Sequence, residues 1–240
     1  MEKETFVYYE TLKNRYPNVR ILTWKKEFNY SAINNFAVRE ARGEYLLFLN
    51  NDVEIITESW LEEMLQLCQQ KDVGMVGAKL YYPDDTIQHA GVVVGLGGVA
   101  AHVLCKLPRD AEGYMRRLRC VQEISAVTAA CMMVKTSVFK AVGGFDEELK
   151  VAFNDIDLCM KVRKYGVKIV FTPYAELYHY ESKSRGMEDT PEKQLRFSRE
   201  VNCFRRKWER EILKGDPYYN PNLTLNNTDC SLRKQEKNGD

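Results

Sequence analysis

No run in the sequence approaches the roughly 20 consecutive apolar residues that a bilayer-spanning helix needs, and the opening MEKETFVYYE lacks the apolar core of a signal peptide. The expectation is a soluble, cytoplasmic protein, held at most at the inner face of a membrane. Neither charge is in surplus, with 35 Lys and Arg against 34 Asp and Glu, so there is no electrostatic reason to expect a nucleic-acid partner. Seven cysteines are scattered without a CxxC pair. That argues against a disulfide framework or a zinc site, and Cys68, Cys131, Cys159 and Cys203 sit in apolar contexts that suit buried thiols. Histidine is scarce, with three in 240 residues. What is present is an ordinary globular balance, 45% hydrophobic and 29% charged, enough for one catalytic-size core over residues 1–215 and a polar, Asn-rich tail over 216–240 that docks partly or not at all.

Helical and strand periodicities alternate along the chain. Residues 4–14 and 31–42 read as helices, YLLFL (45–49) as a strand, and Thr57 as the N-cap of a helix with Leu61, Met64, Leu65 and Cys68 on one stripe. GMVGAKLYY (74–82) predicts a strand, Pro83-Asp84-Asp85 a turn, and 86–98 a second extended segment. Residues 99–124 have little period and read as a mobile excursion over the sheet. The core resumes at 125–139, Gly143-Gly144 ends a helix, and a helix near 156–165 leads to extended runs at 167–173 and 176–180. Thr190-Pro191 opens a long helix with Phe197, Val201, Phe204 and Trp208 on one side. This alternation predicts an α/β fold with a mainly parallel sheet flanked by helices.

Three clusters could carry chemistry. LLFLNNDVE (46–54) runs a buried strand into Asn50, Asn51 and Asp52, where strand ends in open α/β sheets hold ligands; the plain alternative is a turn. FNDIDLCMKVRKYG (153–166) places Asn154, Asp155 and Asp157 at a helix start, as caps and dipole partners or as a fixed base. His179 precedes a loop with Lys183 and Arg185, a setting suited to phosphate oxygens, although a lone His between tyrosines is more often packed. His89 and His102 read as structural or substrate-edge residues.

In this order, the clusters resemble the glycosyltransferase family 2 proteins of GT-A (Rossmann-like) fold, most of all rhamnosyltransferase-like members, over about residues 3–215. The resemblance rests on NYSAINNFAVREARGEYLLFLNNDVE (29–54), SAVTAACMMVKTSVFKAVGGFDEEL (125–149), FNDIDLCMKVRKYG and the His179 segment. It implies a divalent metal, Mn2+ or Mg2+, held by Asp52 and His179, in a DXD-type motif whose first acid is here Asn50. It implies Asp155 as general base with Asp157 in support, Asn35, Asn50, Asn51, Asp52, Lys183 and Arg185 on the donor side, and Thr128, Gly144, Phe145 and Asp146 toward the acceptor. For Gly144 and Phe145 a packing role is at least as good a reading. The implied reaction is inverting transfer from a UDP- or dTDP-linked sugar to a glycan or lipid-linked acceptor in cell-surface polysaccharide synthesis.

Family members begin with nucleotide-binding strands that this sequence does not show, so the expectation is an N-terminally truncated domain. Exposed sheet edges then favour a homodimer. The sequence leaves two other readings open: a non-catalytic remnant acting as a binding or assembly module, and, more weakly, a nucleotidyltransferase.

Overall fold

All nine positions of Val73–Tyr81 (β3) are buried, as a strand covered on both faces requires. In the computed structural model, which describes residues 3–181 and 190–234, β3 is the centre of a mixed sheet. Before it come helices α1 (Lys3–Arg15) and α2 (Tyr30–Glu40), strands β1 (Tyr45–Leu49) and β2 (Val53–Ile55), and helix α3 (Trp60–Cys68). After it come β4 (Ile87–His89), β5 (Val92–Val94), β6 (Ala100–His102), β7 (Gln122–Glu123), β8 (Cys131–Lys135), α4 (Thr136–Ala141), α5 (Asn154–Tyr165), β9 (Lys168–His179) and α6 (Pro191–Lys214). The sheet order is β1-β8-β3-β9-β2, with β4 on β3 and β7 on β9.

The expected α/β architecture is there, with a smaller parallel share than the alternation suggested. Only β3–β9 is parallel; β1–β8, β3–β8, β3–β4, β2–β9 and β7–β9 are antiparallel. The reason is connectivity: the long connection from β3 to β8 passes through the 86–124 excursion and brings the chain back in the opposite sense. No strand precedes Tyr45 among the described residues, so β1 forms an edge.

One face of the sheet is covered by α3, whose Trp60, Met64 and Cys68 pack on Val76, Ala78 and Leu80. The other face carries α2, α4, α5 and α6 through Val38, Phe139, Leu158, Phe204 and Trp208, packed with Phe48, Met75 and Phe171. Thr57 is not a side-chain cap of α3. Its hydroxyl accepts the Glu176 N–H at 3.3 Å, tying the helix start to β9, and Ser59 occupies the N-cap. Residues 86–98 are split by Gly91 (φ +102°) into β4 and β5. The 99–124 segment is anchored, with Leu104 and Leu118 buried. The runs at 167–173 and 176–180 fall on a single strand, β9, offset against β3 between Gly77↔Phe171 and Lys79↔Glu176.

The polar segment after Gly215 docks. Tyr219, Leu223 and Cys230 are buried in the main core, Asp216 accepts the Val94 N–H at 2.8 Å, and Thr228 and Leu225 carbonyls accept N–H groups of Leu104 and Gly97.

Candidate active site

The strand–turn LLFLNNDVE ends at a fixed point because both flanks are pinned. Asn50 N–H donates to the Ala130 carbonyl at 3.0 Å, and the Asp52 carbonyl accepts from Tyr180 N–H at 2.8 Å. The short β2 then pairs Val53 with His179. This brings Asp52 Oδ1 to 3.2 Å from His179 Nε2, with both side chains mostly buried.

Gln88 decides the state of that imidazole. Its NH2 faces the His179 carbonyl at 3.2 Å, so its Oε1, at 2.7 Å from His179 Nδ1, can only accept. His179 therefore carries its proton on Nδ1 and turns the Nε2 lone pair toward Asn50 Nδ2, at 3.1 Å, and toward Asp52. Burial lowers the His179 pKa, which keeps the ring neutral. Asp52 Oδ1 is buried without a hydrogen-bond donor. Two lone-pair atoms about 3 Å apart have the spacing of adjacent ligands around a cation with bonds of roughly 2.1 Å, so these residues fit a divalent metal. Among the described residues no group of three acidic, His or Cys side chains could hold one; a cation held by this pair would take its other ligands from bound oxygens and water, as is usual for Mg2+-like sites.

The second acid cluster opens α5. Asp155 accepts the Ala129 N–H at 3.2 Å on one oxygen and the Ile156 N–H at 2.9 Å on the other. The Ala129 carbonyl in turn accepts the Tyr30 hydroxyl at 3.2 Å. Burial, then the Asp155 charge, pushes the Tyr30 pKa up, so the phenol stays a donor. The helix N-cap is neither Asn154 nor Asp155 but Phe153, in the left-handed region (φ 61°, ψ 3°). Such strain costs about 1–2 kcal/mol, and here it is offset by stacking of Phe153 on Phe204 at 5.3 Å. The buried Glu200 carboxylate accepts Val151 and Ala152 N–H and fixes the approach to the turn.

A chain of contacts joins the two ends. Thr128 Oγ1 accepts the Ala130 N–H at 3.3 Å, and Thr128 N lies 3.4 Å from His89 Nε2. His89 and His102 face each other, Nδ1 to Nδ1, at 3.1 Å, and His102 Nδ1 is also 3.1 Å from the Gln88 carbonyl. His102 feels the charges of Asp155 and Glu181. All three histidines therefore lie along this chain of contacts, although the sequence left His89 and His102 without company. Their scarcity was the only signal, and Gln88, Tyr30 and Glu181 gave none.

Other expected site residues sit elsewhere. Asp157 is fully buried between α5 and α6, accepting Trp208 Nε1 at 2.8 Å and pairing with Lys207 at 2.8 Å and Lys161 at 3.3 Å. It cannot join that chain of contacts from its position, because the helix turn that presents Asp155 to Ala129 sends Asp157 toward α6. Asn35 is taken up by the backbone: Oδ1 accepts the Phe145 N–H and Nδ2 donates to the Phe145 carbonyl, both at 3.0 Å. Gly144 adopts φ +67°, and a Cβ there would lie 2.7 Å from Asn35 Oδ1. Phe145 packs edge-on against Phe48 at 5.0 Å, and Asp146 pairs with Lys207. Asn35, Gly144 and Phe145 lock α2 to the 143–147 loop, and Asp146 ties that loop to α6. Asn51 is exposed beside the site. Lys183 and Arg185 lie outside the described residues.

Concavity and chemistry do not coincide. Cavities of about 560 Å³, between the end of α6 and the docked tail, and about 530 Å³, over the 84–86 turn, contain none of Asp52, Asp155 or His179. The second is lined by charges that already pair, Arg109 with Asp85 and Glu176. The converging unpaired atoms are the better guide to a site.

A family model described as "Glycosyltransferase like family" matches residues 12–200. The chain belongs to this glycosyltransferase family. It is 53% identical, over 97% of its length, to the "Uncharacterized protein y4gI" of Sinorhizobium fredii, and 42% identical, over 93%, to the "O-antigen biosynthesis protein RfbC" of Myxococcus xanthus. It spans only 26% and 17% of those proteins. An "N-acetylglucosaminyl-diphospho-decaprenol L-rhamnosyltransferase" of Mycobacterium tuberculosis is 24% identical over 72% of this chain and 62% of its own length. Among solved structures, a mannosyltransferase from Pyrobaculum calidifontis in complex with GDP-Man and Mn2+ covers 87% of this chain and 52% of that one, at TM-score 0.58 and 15% identity. GalNAc-T7 with UDP, GalNAc and Mn2+ covers 88% and 40%, at TM-score 0.62 and 14% identity. These likenesses establish the GT-A fold of the glycosyltransferase.

Proposed function

We propose that this chain is the catalytic core of a metal-dependent, inverting glycosyltransferase that moves a sugar from a nucleotide-sugar donor to an acceptor hydroxyl in cell-surface polysaccharide synthesis. The observation that carries the reading is the pairing of Asp52 Oδ1 with the lone pair of His179 Nε2, linked through Gln88, His102, His89 and the Thr128–Ala129 backbone to Asp155. Asp52 and His179 would hold the cation, with Gln88 keeping the imidazole in its ligating tautomer; the cation supplies Lewis-acid neutralisation of the leaving diphosphate. Asp155 takes the acceptor hydroxyl proton as the oxygen bonds to the anomeric carbon, and the bond from that carbon to the diphosphate oxygen breaks on the opposite face, its electrons leaving with the nucleoside diphosphate. Ala129 and Tyr30 hold Asp155 and its neighbouring peptide in place. The acceptor, a glycan or lipid-linked glycan, and the choice of UDP- or dTDP-linked donor belong to the same proposal, which the O-antigen and rhamnosyltransferase relatives support.

Calorimetric titration with UDP, dTDP and GDP, each with and without Mn2+, tests it. Metal-dependent binding that disappears in Asp52→Ala supports the enzyme. A folded chain that binds acceptor glycans but no nucleotide under any of these conditions would replace it with the binding-module reading.

A further inference from the structure

The outward face of α6 differs from the rest of the molecule. Helix α6 holds eight Lys and Arg against four Glu, a net charge of +4, whereas the whole chain is +1; the other residues together are therefore at −3. Phe204, Trp208 and Glu200 face the core. On the opposite side Leu195, Arg199, Asn202, Arg206 and Arg210 recur every three or four residues and are all exposed, which is the spacing of one helical stripe. Trp208 departs from helical dihedrals (φ −119°, ψ 21°), so the phase does not carry into the last turn, yet Leu213 there is 80% exposed and Leu195 is 53% exposed.

Other cations of the helix are engaged. Lys207 pairs with Asp146 and Asp157, Arg196 with Glu200, and Arg205 donates to the Gly98 carbonyl. No ion pair of Arg199, Arg206 or Arg210 is formed among the described residues, and Glu209 is the acid beside Arg206 and Arg210 in sequence. From Leu195 to Arg206, before the break at Trp208, the helix extends about 16 Å at 1.5 Å per residue. Arg199 and Arg206 share the stripe before the break at Trp208, and Arg210 and Leu213 are exposed beyond it.

We propose that this face of α6 docks on an anionic lipid surface, lying along the membrane plane with the three arginines at headgroup phosphates and the two leucines at the acyl boundary. A flat sheet of phosphates meets all three arginines at once, and the leucines add apolar contact that a hydrated polyanion would not reward. The stripe carries no aromatic side chain on which nucleic-acid bases could stack. The inference stands apart from glycosyl transfer, since a surface-bound chain need not be catalytic.

Co-sedimentation of the full chain with vesicles of phosphatidylcholine, alone or mixed with phosphatidylglycerol, tests it without any donor or acceptor. Binding to the mixed vesicles only is expected, and it should weaken as added salt shortens the screening length. The triple variant Arg199→Gln, Arg206→Gln, Arg210→Gln should lose affinity on the order of a hundredfold, each arginine near a charged surface contributing about fivefold. Leu195→Ser with Leu213→Ser should lose less and become more salt-sensitive. All five positions are exposed, and an unchanged thermal melt checks that the variants fold. Equal binding to both vesicles, no binding, or a triple variant that binds like the parent overturns the proposal. So does a parent chain that binds heparin but not vesicles, which would mark a site for soluble polyanions.

Discussion

Two buried carboxylate oxygens lie in almost the same geometric situation and have opposite surroundings. Asp157 Oδ2, between α5 and α6, and Asp52 Oδ1, at the tip of β1, both lack a well-aligned hydrogen-bond donor. The first is 3.3 Å from the Lys161 ammonium, with Lys207 and Trp208 on its partner oxygen. The second is 3.2 Å from a neutral imidazole whose proton is on the far nitrogen. In one place the protein supplies the counter-charge itself; in the other it supplies only more lone pairs. A buried acid answered by fixed cations is part of the scaffold, because removing either side strands a charge in low dielectric. A buried acid facing another ligating atom is organised for something that arrives.

The contrast can be broken most severely at the third acid. Asp155→Asn should lower transfer by about 10²- to 10⁴-fold, the usual contribution of a positioned base, while Mn2+-dependent nucleotide binding persists in calorimetry. Next, Asp157→Ala should cost about 3–5 kcal/mol in denaturant unfolding by leaving Lys161 and Lys207 beside an empty site. Asp52→Asn, whose carboxylate has no cation to lose, should stay within about 1 kcal/mol of the parent. Equal destabilisation by the two would erase the distinction. Gln88→Ala should weaken Mn2+ binding by about 10- to 100-fold, the range for a lost outer-shell partner, with little change in melting.

The smallest expected effect is on pH dependence. Burial pushes the His89 and His102 pKa values down, so below the ordinary 6.5 the unfolded chain takes protons that the folded chain resists. Stability is then complete above about pH 6.5 and falls as the pH drops below it, by at most about 1.4 kcal/mol per pH unit per histidine. His89→Gln should flatten that slope in unfolding curves measured between pH 7 and 5.

Much of the fold was legible because it is written in local period. The boundaries of α1, α2, β1, β3, α5 and α6 follow from stripes and breakers that act within a few residues, and Thr190 caps α6 as expected by accepting the Lys193 N–H. The sheet's strand directions were not legible, since they depend on where a long excursion returns. At the site, Asp52 and His179 were visible as polar residues closing apolar runs, and Asp155 as an acid at a helix start. Asp157, two residues from Asp155, looked the same in sequence; only the placement of Trp208 and Lys207 on a helix 50 residues later separates them. The His89–His102 pair was invisible for a similar reason. It is made by β4 and β6 meeting across Gly91, and no motif within either segment announces it.

The docked segment after Gly215 has a consequence for how such chains are delimited. The family-wide match stops at residue 200, but the folded unit runs on through Trp208, which reaches Asp157, and through Thr228 and Leu225, whose carbonyls brace the loops on either side of β6. His102 rides on that hairpin. A boundary drawn where the family-wide match ends would cut away the outer brace of the hairpin that carries His102. In this chain the segment shared across the family and the unit of folding end in different places.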